Sequence, residues 1–369
     1  MSDRGASEVI QKIEEDSALS RRAFVGGAAA AAVATTLLSS SDAEAAKEEK
    51  SLAAVPPAGF TPMSSPGTIV KVSKAGCLQT NELYPKEDDA KAMLTLAMTK
   101  FTNKSDLPEA IKLFFHPQDI VCVKLNGIAL TNMGTNKELV LPFLEAMIAA
   151  GIPAENITVL EQYGSFLGGT RVNAQNVPKG VKVTVHGNGD TTMPERAIRG
   201  TGATPKDDLK TKFCRTLTES TAVVNFSLIK DHSICGYTGL LKNMTHGTQT
   251  SPHIFHSHHA NPQIAQLYAQ DIIKSRVRLN ITDGFKIMAH GGPLWKSAKH
   301  VKKHESVYVS TDAVAMDTIG AELVDKLRAE FNLKSLADEG RAPAYIKAAA
   351  DMGLGIGDKS QIQLKEFTI

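Results

Sequence analysis

The sequence predicts an α/β fold, a mainly parallel sheet with helices on both faces. Three observations carry this. Short apolar runs of strand type recur along the chain, stretches with helical spacing alternate with them, and one strand–helix–strand succession closes within about forty residues, the length of a right-handed βαβ unit.

The first strand falls at Asp119 to Leu125 (Asp-Ile-Val-Cys-Val-Lys-Leu). Glu138 to Ala150 has helical spacing and stops at Gly151, and Asn156 to Leu160 reads as the second strand. Val181 to Val185, Ala222 to Ile229, Val277 to Thr282 and Ser306 to Ser310 supply further strands. Helical runs follow at Asn261 to Lys274 and Ala313 to Arg328. Such alternation favours a parallel sheet whose strands are buried on both sides. The organisation expected is a targeting segment over 1–45, a flexible mature terminus over 46–67, and a single α/β domain over 68–369.

The targeting segment is read from order and composition. A polar leader ends in Ser20-Arg21-Arg22-Ala23-Phe24-Val25, a weakly hydrophobic stretch runs from Gly26 to Leu38, and Ala43-Glu44-Ala45 has small residues at the spacing of a cleavage site. This is the arrangement of a twin-arginine signal peptide, with the twin-arginine translocation machinery as partner. The apolar stretch is short of the roughly 20 residues a bilayer span needs, so no stable membrane anchor is expected. The mature chain then starts near Ala46, in the periplasm or another extracytoplasmic space. Substrates of that route cross already folded, which suits a protein carrying a bound group.

Composition bounds the function classes. The 369 residues are 42% hydrophobic and 22% charged, which suits a globular chain with a substantial core. Removing the four basic and seven acidic side chains of residues 1–45 from totals of 41 and 39 leaves 37 and 32, a formal +5. That excess is mild and lacks an aromatic-interleaved basic stripe, so a nucleic-acid partner is not expected and a small anionic ligand is. Four cysteines, Cys77, Cys122, Cys214 and Cys235, allow three pairings, and Cys122 lies within an apolar strand as a buried thiol. No Cys-x-x-Cys occurs, so neither an iron–sulfur cluster nor a zinc finger is expected.

Candidate functional groups stand where strands end, because the carboxyl ends of parallel strands form the ligand crevice of an open α/β sheet. The strands run into Lys124 and Asn126, Glu161, Lys230-Asp231-His232, Asp283-Gly284 and Thr311-Asp312. Asp, Asn and Gly are also ordinary turn residues. Lys124, Asn126 and Lys230 are not needed for turns and are the better candidates.

The densest stretch runs from Asn225 to Gly247. A strand delivers Lys230 and His232 to a loop with Gly236 and Gly239, then Thr238-Gly239 opens a helix carrying Lys242, Asn243 and His246. Positions 239, 242, 243 and 246 share one helical face. That face gathers an ammonium, an amide and an imidazole beside a glycine, groups suited to holding a carboxylate or phosphate or to moving a proton.

This segment resembles the signature of the domain-of-unknown-function 362 family: a strand with Asn225, then Lys230-x-His232, Thr238-Gly239, and Lys242-Asn243 before Gly247. Lys124-x-Asn126, Asp283-Gly284 with Gly292-Pro293, and Asp312-x-x-Ala315-x-Asp317 extend the resemblance, in the family's order, over roughly residues 68–355. It implies an α/β fold and a polar site. Some members carry a ferredoxin-type cysteine run, absent here, and many have proline where this chain has Leu125.

The aspartates, histidines and excluded chemistries complete the reading. Asp312 precedes Met316, Ile319, Leu323 and Leu327 at helical spacing and is a natural N-cap, worth about 1 kcal/mol. Asp317, at the border of the buried face, needs a partner, with Lys230 or Lys242 the expected ones. His246, His253, His256, His258 and His259 crowd into fourteen residues. They could supply ligands to a divalent metal, first His232 and His246, then His258 and His259, with Asp271 or Asp283 completing a shell, or they could form a polar exposed loop. The chain has no Gly-x-Ser-x-Gly elbow and no Walker loop, and Gly353-Leu-Gly355-Ile-Gly357 reads as a loop.

Two functional readings stand. In the first, an exported enzyme acts on a small anionic substrate: Lys230, His232, Lys242, Asn243 and Asp317 are catalytic, and Lys124, Asn126, Thr238, Gly239 and Asp283 bind ligand. In the second, a non-catalytic accessory protein carries a metal or ligand in the same pocket.

Overall fold

The computed structural model describes residues 51–187, 189, 195–198 and 208–369. The twin-arginine segment read over 1–45 lies outside the described residues. Residues 51–66 carry no helix or strand, and hydrogen bonds join them to the domain: Ser51 Oγ and Leu52 N donate to Asp271 Oδ2, and Arg276 Nη1 donates to Leu52 O.

The strands are β1 (Thr68–Ser73), β2 (Val121–Lys124), β3 (Ile157–Glu161), β4 (Lys182–Val185), β5 (Arg196–Ile198), β6 (Leu209–Thr211), β7 (Ala222–His232), β8 (Gly236–Thr238), β9 (Val277–Met288), β10 (Val301–Ser310) and β11 (Gln363–Thr368). The main helices are α1 (Glu87–Thr102), α2 (Lys137–Ala149), α3 (Gly164–Thr170), α4 (Leu240–His246), α5 (Gln263–Tyr268), α6 (Asp271–Lys274), α7 (Ala313–Glu330) and α8 (Ala344–Asp351).

A nine-stranded mixed sheet has the order β11-β1-β10-β9-β7-β2-β3-β4, with β8 folded back on β7, and β5 and β6 form a separate pair. The run β9-β7-β2-β3-β4 is parallel throughout, and β1 pairs parallel with β11. The fold is therefore α/β with mostly parallel strands. Every residue of β2 and β7 is buried, which is why these strands read as continuous apolar runs rather than alternating ones.

Successive strand residues feed two apolar clusters, as the two-residue period of a strand requires. Val121 and Val123 of β2, Val224 and Phe226 of β7 and Leu279 and Ile281 of β9 pack with Met93 of α1 and Phe143 of α2. Their neighbours Cys122 and Val223 join the other cluster with Leu240, Leu241 and Met244 of α4 and Val314 and Val324 of α7.

Several elements differ from the sequence reading. β9 runs on to Met288, so Asp283-Gly284 lies inside a strand at a register irregularity and does not end it. β10 starts at Val301 and pairs antiparallel with β9, Ser310 lying opposite Asn280. Residues 289–300 connect the two strands without the crossover helix that parallel pairing requires. Thr311-Asp312 consequently emerges at the amino ends of the parallel strands, away from the rim that holds Lys124, Glu161 and His232. The helical run Asn261 to Lys274 is broken into α5 and α6 by Gln270, whose ψ of 136° is extended.

Asp312 caps α7 as expected, accepting from Ala315 N at 2.9 Å, and its other oxygen takes Gly67 N and Ile356 N, both at 2.9 Å. It thereby ties the start of β1 and the loop of Gly353–Gly357 to the helix. All four cysteines are free and buried. Among the described residues, no helix is long and apolar enough to cross a membrane.

Candidate functional site

At the carboxyl ends of β2, β3 and β7 a cavity, with about 70 Å³ open to the centres of water-sized molecules, lies against α4. Lys124, Asn126 and Glu161 come from the strand ends, and His232 and Thr238 from the β7–β8 hairpin. Lys242, Asn243 and His246 project from α4, one turn apart, as the shared-face spacing requires. Sequence-distant segments thus converge through the parallel arrangement of the sheet.

Two glycines set how closely these segments meet. A Cβ on Gly247 would stand 2.7 Å from Lys124 Cε, and one on Gly239 would stand 2.1 Å from Asp317 Oδ1 and 2.4 Å from Tyr237 Cε1. All three distances are shorter than real Cβ contacts, so these glycines let α4 seat against its neighbours.

Asp317 does not pair with a lysine, contrary to the expectation from sequence. Its Oδ1 accepts from Leu240 N at 2.7 Å and its Oδ2 from Leu241 N at 3.0 Å, so it caps α4 from another helix. The first backbone N–H groups of a helix have no partner within that helix, and a carboxylate satisfies them. Burial nevertheless pushes the Asp317 carboxyl up to about 7 against those hydrogen bonds.

Behind the cavity runs a row of amides. Lys230 Nζ donates to Asn126 Oδ1 at 2.7 Å, Asn126 Nδ2 to Asn243 Oδ1 at 3.2 Å, Asn243 Nδ2 to Asn225 Oδ1 at 2.8 Å, and Asn225 Nδ2 to Asn280 Oδ1 at 3.1 Å. The Lys230 ammonium has Asn126 Oδ1 as its hydrogen-bond acceptor and is fully buried, so burial brings its pKa down to about 7. Lys230 stands one layer behind the cavity wall, not in it.

The front layer holds the other two lysines. Lys124 Nζ donates to Leu125 O at 2.5 Å, Glu161 Oε2 at 3.2 Å and Asn243 Oδ1 at 3.4 Å. Lys242 Nζ meets His256 Nε2 at 2.8 Å, with the Cys235 thiol beside it, and burial lowers its pKa. Among the described residues no carboxylate is found in contact with Lys242. Glu161 is the carboxylate of the cavity wall, and its oxygens also accept from Gly127 N and Gln162 N, each at 2.6 Å.

Three imidazoles surround Lys242. His232 stacks on His256 with centroids 5.5 Å apart, and His246 meets His256 edge-on at 4.6 Å. Burial, with the Lys242 cation adding to it, holds all three well below the usual histidine range, so they are neutral at pH 7. Their tautomers follow from their partners. His256 Nδ1 faces Pro252 O at 3.0 Å and must carry the proton, leaving Nε2 to accept from Lys242. His246 Nε2 donates to Phe255 O at 3.2 Å. His232 Nδ1 accepts from Ile234 N at 3.1 Å, so its proton sits on Nε2, which makes no hydrogen bond among the described residues.

These partners do not fit a divalent metal. The lone pair of His256 is committed to Lys242 and that of His232 to the N–H of Ile234, His246 Nδ1 faces Thr245 Oγ1 at 3.1 Å, and no group of three His, Cys, Asp or Glu side chains among the described residues is arranged to hold an ion. His258 and His259, read as later ligands, are exposed and line no part of the cavity; His259 Nδ1 bonds to Ile234 O at 2.8 Å. Asp271 holds the segment at Ser51 and Leu52 instead. Asp283 binds Asn136 through N at 2.8 Å and Nδ2 at 2.9 Å, and so fixes the start of α2 rather than a ligand.

Asp231, between the two candidate residues Lys230 and His232, has a structural task. It forms an ion pair with Arg341 and accepts from Gly291 N at 2.9 Å and Gly292 N at 3.2 Å. Sequence reasoning also missed the apolar wall, made by Ile128, Phe166, Pro252 and Pro293 from four separate segments. Pro293 was marked only through the Gly292-Pro293 of the family resemblance, and no local pattern points to Ile128 or Phe166. His256 was visible in the histidine cluster, but its bond to Lys242 depends on the turn at Pro252.

Fold and cavity define an α/β protein with a lysine- and histidine-lined cavity at the carboxyl ends of its parallel strands. The family model described as "Domain of unknown function (DUF362)" matches residues 121–322, and the chain belongs to that family. That span contains the cavity-lining strand ends, the β7–β8 hairpin and α4. No curated protein matches the chain.

Proposed function

We propose that this chain is exported by the twin-arginine route and acts outside the cytoplasm as an enzyme on a small anion. The domain is a sheet with helices over both faces, and the cavity at its strand ends is the active site. Lys242 and Lys124 attract the anion, Asn243 holds Lys124 and His256 holds Lys242 in place, Asn126 ties Asn243 to the buried Lys230, and His232 Nε2–H and Lys242 handle a proton.

The observation that carries the reading is the environment of Lys242. It stands in the cavity wall, 6% exposed, with an imidazole nitrogen and a thiol as neighbours instead of a carboxylate. A buried, uncompensated ammonium costs several kcal/mol. A ligand anion removes that cost, and without one the lysine sheds its proton more easily than usual. A titratable group so displaced and facing a cavity favours turnover over passive carriage, for which ligands and an opening suffice.

The test uses the full-length purified chain, with thermal unfolding followed against phosphate, sulfate and carboxylates. Stabilisation by anions is expected, with a dependence on pH. Affinity should be greatest below the Lys242 pKa and fall as the pH rises through it, below the ordinary value of 10.5. Lys242→Met should abolish the stabilisation while the protein stays folded. Anions that stabilise Lys242→Met as well as the parent would refute the site. Binding without turnover of any tested anion would leave the carrier, the second reading.

A further inference from the structure

We infer that the ligand of this cavity is an organic monocarboxylate with an apolar body, seated with its carboxylate on His232, Thr238 and Lys242 and its body against Phe166, Ile128 and Pro293. This rests on the anion reading and narrows it to a chemical class.

The first ground is the number of hydrogen bonds the wall can still give. Lys124 spends its donors on Leu125 O, Glu161 and Asn243. Lys242 is engaged by His256 and Cys235, which leaves one N–H. His232 contributes Nε2–H. Thr238 Oγ1 is buried in the wall without a partner, an arrangement that costs free energy unless a ligand or water meets it. Three donors suit the two oxygens of a carboxylate. A phosphate dianion brings further oxygens and greater charge than these three groups match.

The second ground is α4. Phosphate sites commonly use the free N–H groups of a helix start. Here Asp317 already occupies Leu240 N and Leu241 N, so the backbone offers that start of the helix to no ligand.

The third ground is the opposite wall. Phe166 is 2% exposed and its ring is fixed edge-on to Tyr163 at 5.1 Å. A Cβ on Gly127 would stand 1.8 Å from Phe166 O, so the glycine permits the close approach that brings α3 to the cavity. Carbon surface of this kind rewards an alkyl or aryl group and gives nothing to inorganic ions.

Isothermal titration of the full-length chain with benzoate, hexanoate, acetate, phosphate, sulfate and benzamide, at constant ionic strength and pH 6.5, tests the inference. Benzoate and hexanoate should bind at least tenfold more tightly than acetate, phosphate or sulfate, and benzamide should not bind. Phe166→Leu should reduce the benzoate-to-acetate ratio while leaving acetate unchanged. Thr238→Val should weaken benzoate about tenfold, with Thr238→Ser restoring it. Phosphate or sulfate binding more tightly than the carboxylates overturns the class and spares the anion reading. Benzamide binding as tightly as benzoate, or no anion binding at all, overturns both.

Discussion

Lys230→Met tests how the fold tolerates a fully buried lysine whose hydrogen-bond acceptor is an amide oxygen. The ammonium is fully buried, its hydrogen-bond acceptor is Asn126 Oδ1 at 2.7 Å, and its pKa falls from 10.5 to about 7. Between those two values the unfolded chain binds a proton that the folded chain lacks, so stability rises with pH across the window. The slope is about 1.4 kcal/mol per pH unit for one proton, and the full span amounts to about 5 kcal/mol. Below pH 7 both states are protonated and the folded protein bears the whole penalty. Methionine removes the penalty at every pH and strands Asn126 Oδ1, which costs about 1–3 kcal/mol. The variant should therefore be more stable than the parent near pH 6 by a few kcal/mol and less stable near pH 10. Urea midpoints of both proteins at pH 6, 8 and 10 measure the difference, in which titrations common to both cancel. A difference that stays constant from pH 7 to pH 10 would show that Lys230 keeps its proton in the fold, and the reasoning would fail.

Other outcomes follow from the packing around α4 and the strand ends. Gly239→Ala forces a methyl group to within 2.1 Å of Asp317 Oδ1, so a loss of roughly 1–3 kcal/mol in chemical denaturation is expected, with unchanged stability as the contrary result. Arg341→Ala removes the closer of two cationic partners of buried Asp231, the other being Arg328 Nη1 at 3.9 Å, and should cost about 3–5 kcal/mol by urea unfolding, whereas a loss under 1 kcal/mol would mean that Arg328 and the N–H groups of Gly291 and Gly292 suffice. All four thiols are free and buried, so a thiol reagent without reductant should titrate none in the native chain and four after denaturation. Fewer than four would reveal a pairing that this fold does not contain.

Much of the fold was legible in local patterns. Within the parallel run β9-β7-β2-β3-β4, the strands β9, β7, β2 and β3 are mostly or wholly buried, and their apolar runs stand out in the sequence, while the edge strand β4 is partly exposed. Asp312 announced the start of α7 because a cap is a local device. Strand direction is not local, which is why β10 was read as another parallel neighbour. β1 and β11 went unread for a related reason: β11 is mostly exposed, and its pairing with β1 joins opposite ends of the domain.

The site was legible where spacing on one element decides geometry. Lys242, Asn243 and His246 share the face of α4, and the hairpin brings His232 and Thr238 beside them. Asp317 illustrates the limit. A buried carboxylate does need a partner, but sequence cannot distinguish a lysine from two backbone N–H groups across the helix interface. His258 and His259 failed for a further reason, since proximity along the chain to His256 does not carry them inward.

The row of amides from Lys230 to Asn280 has a polarity. An ammonium can only give hydrogen bonds, so Lys230 dictates that Asn126 present its oxygen, and each amide in turn must face the same way. Turning one asparagine over would set donor against donor or oxygen against oxygen. Lys230 at one end, Lys124 on Asn243 and the carbonyls of Phe226 and Leu240 thereby agree on one orientation for four side chains drawn from β7, β9, α4 and the end of β2, and the wall of the cavity has a fixed sense before any ligand arrives.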